Sequence, residues 1–120
     1  MSRALAVVAL GLGLLCLRAP PAGAHAFLDH SEPRVGSTVV APPTLTLFFT
    51  EPIEPAFSHV KLLDPNDKPV ELPSPETPAP DQLVVHLPTL APGDYTVEWG
   101  VVSVDTHPTE GKFDFSVKAH

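Results

Sequence analysis

Prolines constrain the fold of this chain more than any other feature of its sequence. Fourteen of the sixteen prolines follow residue 24, where they separate short apolar stretches instead of forming one continuous tract. Proline lacks the backbone N–H that helix interiors and central strands need, so it marks the ends of elements. This distribution is typical of a β-protein.

The apolar stretches between these prolines predict six or seven short strands. No segment after residue 24 has a helical period, and turn residues recur about every ten positions. Tyr95 and Trp99 fall on the apolar face of their strand and are expected in the core. The predicted strands cover residues 26–30, 44–49, 57–63, 69–72, 82–87, 95–104 and 112–117. We therefore predict an all-β fold, a β-sandwich or small Greek-key barrel, with residues 73–80 as a surface loop.

The first 24 residues have the form of a cleavable export signal. A basic start at residues 1–3 precedes fourteen apolar residues at 4–17, and residues 22–24 form the small-x-small pattern that signal peptidase cleaves. The apolar run is shorter than the ~20 residues that span a bilayer. We predict a signal peptide at 1–24, one domain at 25–120, and a periplasmic or secreted protein without a permanent membrane anchor. Cleavage one or two residues away from Ala24 is the alternative.

Cleavage after Ala24 would make His25 the first residue of the mature chain. Its free α-amine and its own imidazole Nδ1 could then close a chelate ring on one metal ion. An internal histidine cannot do this, because its backbone nitrogen is acylated. His25 is therefore a candidate metal ligand whose chemistry depends on proteolysis.

Charge and sulfur content narrow the possible partners. Arg3 and Arg18 precede residue 25, so five basic and fourteen acidic residues remain, a formal charge of −9. This balance argues against nucleic acid and is compatible with attracting cations. Cys16 and Met1, the only sulfur-containing residues, also precede residue 25. Any metal site in the mature chain must therefore use imidazole, carboxylate, amine or backbone ligands.

Asp105 and His107 are the second candidate feature. In an extended strand, residues two apart point to the same face, so a carboxylate and an imidazole would project together. Such a pair suits copper(II) or zinc, but a lone D-x-H is common and could merely be a hydrogen-bonded pair at a strand end. The remaining histidines carry weaker signals: His59 and His86 are expected on sheet surfaces, His30 as at most a secondary ligand, and His120 at a chain end.

The mature sequence resembles the CopC family of copper-resistance proteins. The resemblance rests on the start at His25, on Phe48-Phe49-Thr50-Glu51-Pro52 and on Gly93-Asp94-Tyr95-Thr96-Val97-Glu98-Trp99. The most specific match is Val102-Ser103-Val104-Asp105-Thr106-His107-Pro108-Thr109-Glu110-Gly111. The resemblance implies an immunoglobulin-like or cupredoxin-like Greek-key β-sandwich or barrel of about seven strands that binds copper.

Carried over by position, the resemblance implies one copper(II) ion per chain, bound by His25, Asp105 and His107. Glu51 falls where some members place a further carboxylate, either as a ligand or as a group that orients an imidazole. The copper(I) site of some members uses a methionine-rich loop, and residues 64–81 contain neither methionine nor histidine. The chain is therefore predicted to be of the copper(II)-only type.

The expected function is non-catalytic: sequestration or delivery of copper(II) outside the cytoplasm by a monomer. The resemblance implies delivery to a CopD-like inner-membrane copper transporter. One alternative is a histidine-brace copper oxidase or monooxygenase, since an amine–imidazole pair plus a second histidine also forms that centre. Asp105 as a ligand would saturate the equatorial plane and disfavour oxygen activation. The other alternative is an immunoglobulin-like structural module with incidental histidines.

Overall fold

The fold of this chain consists almost entirely of β-strands. The computed structural model describes residues 25–119. The strands are β1 (Leu28–Glu32), β2 (Thr38–Val40), β3 (Thr44–Phe49), β4 (His59–Leu63), β5 (Pro69–Val70), β6 (Gln82–His86), β7 (Gly93–Val102) and β8 (Pro108–Lys118). A 3₁₀ turn at Pro55–Phe57 precedes β4. In this described part of the chain, no helix has the length and apolar character needed to cross a membrane.

These strands form two sheets. The smaller sheet has the order β1-β3-β6, and the larger has the order β2-β8-β7-β4-β5. All neighbours pair antiparallel except β2, which runs parallel to β8. The architecture confirms the predicted all-β sandwich.

The core lies between the sheets and follows from alternation along each strand. In β7, Tyr95, Val97, Trp99 and Val101 are buried, while the residues between them face outward or remain partly exposed, apart from a covered Gly100. The same alternation buries side chains of β3, β6 and β8. Since successive strand residues point to opposite faces, one apolar set from each sheet fills the interior. The predicted core positions of Tyr95 and Trp99 are thereby confirmed.

Trp99 also sets a requirement on its cross-strand partner, Gly111. A Cβ atom at position 111 would lie 2.7 Å from Cζ2 of Trp99, closer than such contacts occur. The indole therefore occupies the space above β8 that a side chain would fill, and it makes a T-shaped contact with the ring of Phe49, with the ring centroids 5.3 Å apart. This packing fixes the middle of the β7–β8 hairpin.

Most predicted strand bounds differ from the structure by one or two residues, and three differences are larger. The short strand β2 was not predicted, and β8 begins at Pro108 instead of residue 112. Residues 57–63 begin with the end of the 3₁₀ turn, because Pro55 favours a turn where no strand partner is available. The loop at 73–80 is confirmed, apart from an isolated bridge between Glu76 and Val84. The predicted signal peptide at 1–24 and His120 lie outside the described residues.

Candidate metal centre

The loop that joins β7 to β8 carries two of the candidate ligands. It begins at Ser103, which is 1% exposed, and ends at His107. The Ser103 N–H donates to the His107 carbonyl at 3.0 Å, and the Thr106 N–H donates to the Ser103 carbonyl at 2.8 Å. The hydroxyl oxygen of Ser103 also accepts a hydrogen bond from the His107 N–H at 3.2 Å. These bonds close a compact turn, so the backbone here is not extended as predicted.

Asp105 and His107 nevertheless lie side by side within this turn. Their Oδ2 and Nδ1 atoms are 3.3 Å apart. Thr106 between them has φ of 71°, a left-handed value that β-branched residues rarely adopt. This backbone reversal, and not strand alternation, brings the two side chains together. Strained conformations of this kind are concentrated at functional sites.

The carboxyl group of Asp105 is held in its ionised form by its neighbours. The Ser103 hydroxyl donates to Asp105 Oδ1 and is the main cause of a lowered pKa at Asp105. Desolvation opposes this effect, and His107 adds to the lowering. The side chains of Asp105 and His107 are 38% and 52% exposed. The loop therefore presents an anionic oxygen and an imidazole to solvent.

The chain segment that contains His25 is held by hydrogen bonds with Thr109 of β8 and with Thr50, which follows β3. Ala26 is fully buried, and its carbonyl accepts a hydrogen bond from the Thr109 hydroxyl at 2.6 Å. Phe27 donates to the Thr50 hydroxyl at 3.0 Å and accepts from the Thr50 N–H at 2.9 Å. As a result, the ring centroids of His25 and His107 are 4.6 Å apart. Two histidines separated by 82 positions in the sequence thus become neighbours.

Glu51 lies at the edge of this arrangement. Its preceding residue, Thr50, is bonded to Phe27, and the carbonyl of its following residue, Pro52, accepts from the Val104 N–H at 3.3 Å. Glu51 therefore connects the backbone contacts of the N-terminal segment with those of the loop, and its own side chain is exposed. Its predicted role, as ligand or as orienting group, stays a prediction.

The side chains of His25, Asp105 and His107 form an incomplete set of metal ligands. Across residues 25–119, no group of three or more His, Cys, Asp and Glu side chains is already assembled as a metal site. The residues offer two adjacent imidazoles and one carboxylate. Two ligand atoms that each lie about 2.0–2.1 Å from a metal are about 3 Å apart, close to the separation of His107 Nδ1 and Asp105 Oδ2. A further nitrogen, the α-amine of His25, exists only after cleavage.

Sequence comparison identifies the family. The family model described as the CopC domain matches residues 28–118. The chain belongs to the CopC family. It is 41% identical over 114 residues to the protein YobA of Escherichia coli K12, with 92% of each chain covered.

Solved structures agree with this assignment to the CopC family. The crystal structure of CopC from Methylosinus trichosporium OB3b superposes with a TM-score of 0.74 at 35% identity, covering 80% of this chain and 96% of that one. PcoC from Escherichia coli, described as a methionine-rich copper resistance protein, gives a TM-score of 0.74 at 35% identity, covering 79% and 100%. The family model therefore shows the family, and the solved structures show the same fold.

The other histidines that the structure describes in this CopC domain lie on strands outside the loop. The ring of His30 stacks on Phe48 at 4.1 Å, and its Nδ1 is 2.7 Å from Asp29 Oδ2. His86 and His59 are exposed on strands, as the sequence predicts. His30 is engaged by these neighbours and is not placed beside His25.

Sequence reasoning missed three hydroxyl residues that hold the site together: Thr50, Ser103 and Thr109. None of them belongs to a metal-ligand class, and two act on residues far away in the sequence. The one local signal is the spacing of Ser103 and Asp105, which permits a turn-forming hydrogen bond.

Proposed function

We propose that the mature protein binds one copper(II) ion through His25, Asp105 and His107 and carries it outside the cytoplasm. The observation that supports this most strongly is the 4.6 Å approach of the His25 and His107 rings, with Asp105 beside His107, in a member of the CopC family. Three nitrogens and one carboxylate oxygen would make a tetragonal set, which copper(II) prefers.

The available ligands favour the oxidised ion. Copper(I) prefers thioether and thiolate ligands, and the chain has no methionine or cysteine after residue 24. PcoC, by contrast, is described as methionine-rich. The proposal therefore assigns this chain a copper(II) site without a separate copper(I) site.

Binding of this kind should weaken in acid. The α-amine and both imidazoles must be deprotonated to coordinate copper, so protons compete with the metal. An α-amine has an ordinary pKa of about 7.7–8.0, which makes it the first of these groups to be lost as the pH falls. Release of copper at low pH follows from this ligand set.

The proposed role is transport or sequestration and not catalysis. The relative PcoC is described as a copper resistance protein, and a carboxylate ligand would occupy the position at which a copper oxidase binds oxygen. Sustained copper-dependent peroxide formation, or turnover of a polysaccharide with ascorbate, would contradict this proposal and favour the histidine-brace alternative.

Location and partner are further parts of the proposal. The protein is exported, acts as a monomer in the periplasm or medium, and passes copper to a CopD-like inner-membrane transporter. N-terminal sequencing of the exported protein should find His25 as its first residue. Copper uptake by membrane vesicles containing such a transporter should be faster from the loaded protein than from free copper.

The decisive experiment compares two N-termini. Protein that begins at His25 should bind copper(II) at least about tenfold more tightly than the same protein with an acetylated N-terminus, because acetylation removes the α-amine from the chelate. Affinity is measured by chelator competition, with Trp99 fluorescence and electron paramagnetic resonance (EPR) as readouts. His30→Gln is the matched control. It removes a histidine that is close to His25 in the sequence but outside the site, and it should not change affinity. Equal affinities and identical spectra for the two N-termini would refute the proposed site.

A further inference from the structure

A row of three residues crosses the outer face of the larger sheet, on the side away from the core. His59 of β4 pairs with Gly100 of β7, and Gly100 pairs with Glu110 of β8. Within their strands, His59 and Glu110 are exposed and alternate with residues that face the core or are partly buried. The row therefore places an imidazole and a carboxylate on one sheet face, with a residue that has no side chain between them.

The histidine ring occupies the space above Gly100. A Cβ atom at position 100 would lie 2.8 Å from Nε2 and 3.1 Å from Nδ1 of His59, so the imidazole of β4 covers Gly100 of β7. Strands in a sheet are about 4.8 Å apart, and a histidine that leans across one neighbour points toward the next. Gly100 thus allows the imidazole of β4 to approach the carboxylate of β8.

Both side chains line open hollows in this face. A cavity of about 440 Å³ is bordered by His59, Glu110 and Lys112, and a second of about 430 Å³ by His59, Glu110 and Phe57. His30 and His86 each have a carboxylate oxygen within 4 Å, at 2.7 Å and 3.4 Å. Among the described residues, neither His59 nor Glu110 forms an ion pair with any side chain within 4 Å.

The surrounding charges single out Glu110 as the available carboxylate. Glu98, the next outward residue along β7, has Lys61 and Lys112 as its two cross-strand partners. Opposite charges on adjacent strands stabilise each other, so the charge of Glu98 is compensated from both sides. Glu110 instead faces Gly100, which carries no charge.

We propose that His59 and Glu110 form a second metal site, separate from His25, Asp105 and His107, for a divalent ion that accepts imidazole and carboxylate ligands. Copper(II) and zinc are the ions of this class. With two protein ligands, water completes the coordination, and the site is weaker than one with a chelating N-terminus. This proposal does not depend on what the first site binds.

The test isolates the second site by removing the first. Mature protein carrying His25→Ala and His107→Ala is titrated with copper(II) and separately with zinc, while backbone amide signals are followed by NMR. Saturable binding is expected, with copper(II) broadening signals of Gly100 and Glu110 first and zinc shifting the His59 ring resonances. The same signals should respond to a second equivalent of copper in the unaltered mature protein.

Variants then assign the ligands. His59→Gln and Glu110→Gln should each weaken this binding at least about tenfold, because loss of even an outer partner costs about 10- to 100-fold. His86→Gln is the matched control, since His86 is also an exposed strand histidine near a carboxylate, and it should have no effect. Binding that survives His59→Gln, centres on His86 or His30, or fails to saturate would overturn the proposal. Retained amide dispersion confirms that each variant is folded.

Discussion

Ser103 is the residue on which the geometry of the hairpin loop depends most. It is buried, its hydroxyl donates to the Asp105 carboxylate, and its oxygen accepts from the His107 N–H. One side chain therefore positions the carboxylate and the backbone of the histidine at the same time. Neither effect requires Ser103 to touch a metal.

Replacing Ser103 by alanine should raise the pKa of Asp105 toward its ordinary value of 3.8, because the hydroxyl is the main cause of the lowering. A pKa that is lowered in the folded state stabilises the fold above the unfolded-state pKa, and this stabilisation is lost as the pH falls through the folded value. The stability difference between wild type and Ser103→Ala should therefore be largest at neutral pH and shrink below about pH 4. A part of this stability difference, due to the lost hydrogen bond from the His107 N–H, should remain at all pH values.

The measurements are a carboxyl-carbon NMR titration of Asp105 and urea unfolding at neutral and acidic pH. Ser116→Ala is the matched control, because the Ser116 hydroxyl also donates to a carboxylate, Asp94, at 2.6 Å, far from the loop. An unchanged Asp105 pKa in Ser103→Ala would show that the hydroxyl does not govern this carboxylate.

At the scale of elements, the N-terminal segment reaches the β7–β8 hairpin through one side-chain hydrogen bond. Thr109, the second residue of β8, donates to the carbonyl of buried Ala26, which directly follows His25. This contact spans 83 positions in the sequence. It determines how near His25 can lie to His107.

Thr109→Val keeps the shape and strand preference of the side chain but removes this donor. A buried acceptor left without a partner costs about 1–3 kcal/mol, so the free energy of unfolding should fall by that amount. If the proposed site is correct, copper(II) affinity should also fall by about 10- to 100-fold, as when a group that orients a ligand is lost. Urea unfolding and chelator competition measure the two effects.

Thr96→Val provides the comparison, since the Thr96 hydroxyl donates to Asp114 at 3.0 Å on an exposed part of the same hairpin. It should leave copper affinity unchanged. A Thr109→Val protein with wild-type affinity would mean that His25 is positioned by other contacts.

The elements that could be predicted from sequence are those whose own pattern determines them. The sequence of β3 alternates and then ends in two apolar residues, and its predicted bounds agree with the structure. The three residues of β2 are too few to show a period, and their parallel pairing with β8 depends on the rest of the fold. The first residues of β8 include Gly111, which is inward-facing but has no side chain, so the apolar alternation is interrupted there.

In the candidate site too, local features could be predicted from sequence and long-range contacts could not. The adjacency of Asp105 and His107 was predicted, but through an extended strand, whereas Thr106 produces it by a left-handed turn. The contact between Thr109 and Ala26 arises only when two distant segments fold together, and no local pattern encodes it. Candidate ligands can therefore be named from sequence, and the groups that position them cannot.

At the scale of the whole molecule, the proposed copper position lies where the two sheets meet. The N-terminal segment is bonded to Thr50, which follows β3 of the smaller sheet. The loop of His107 belongs to the larger sheet, and Ser103 pairs with Ile53 between the two. An ion bound by both His25 and His107 would connect these parts in the folded state and would lack that geometry in the unfolded chain.

Copper(II) should therefore raise the melting temperature of mature protein that begins at His25. A ligand at 100 times its dissociation constant that binds only the folded state adds about 2.7 kcal/mol. Since 1 kcal/mol shifts the melting temperature of a domain this size by about 4–8 °C, the expected rise is about 10–20 °C. Differential scanning calorimetry at neutral pH measures it, and the rise should diminish in acid, where protons displace the metal. Protein with an acetylated N-terminus should gain far less at the same copper concentration, because its α-nitrogen cannot join the chelate. An equal rise for both proteins would mean that copper stabilises the sandwich from another position.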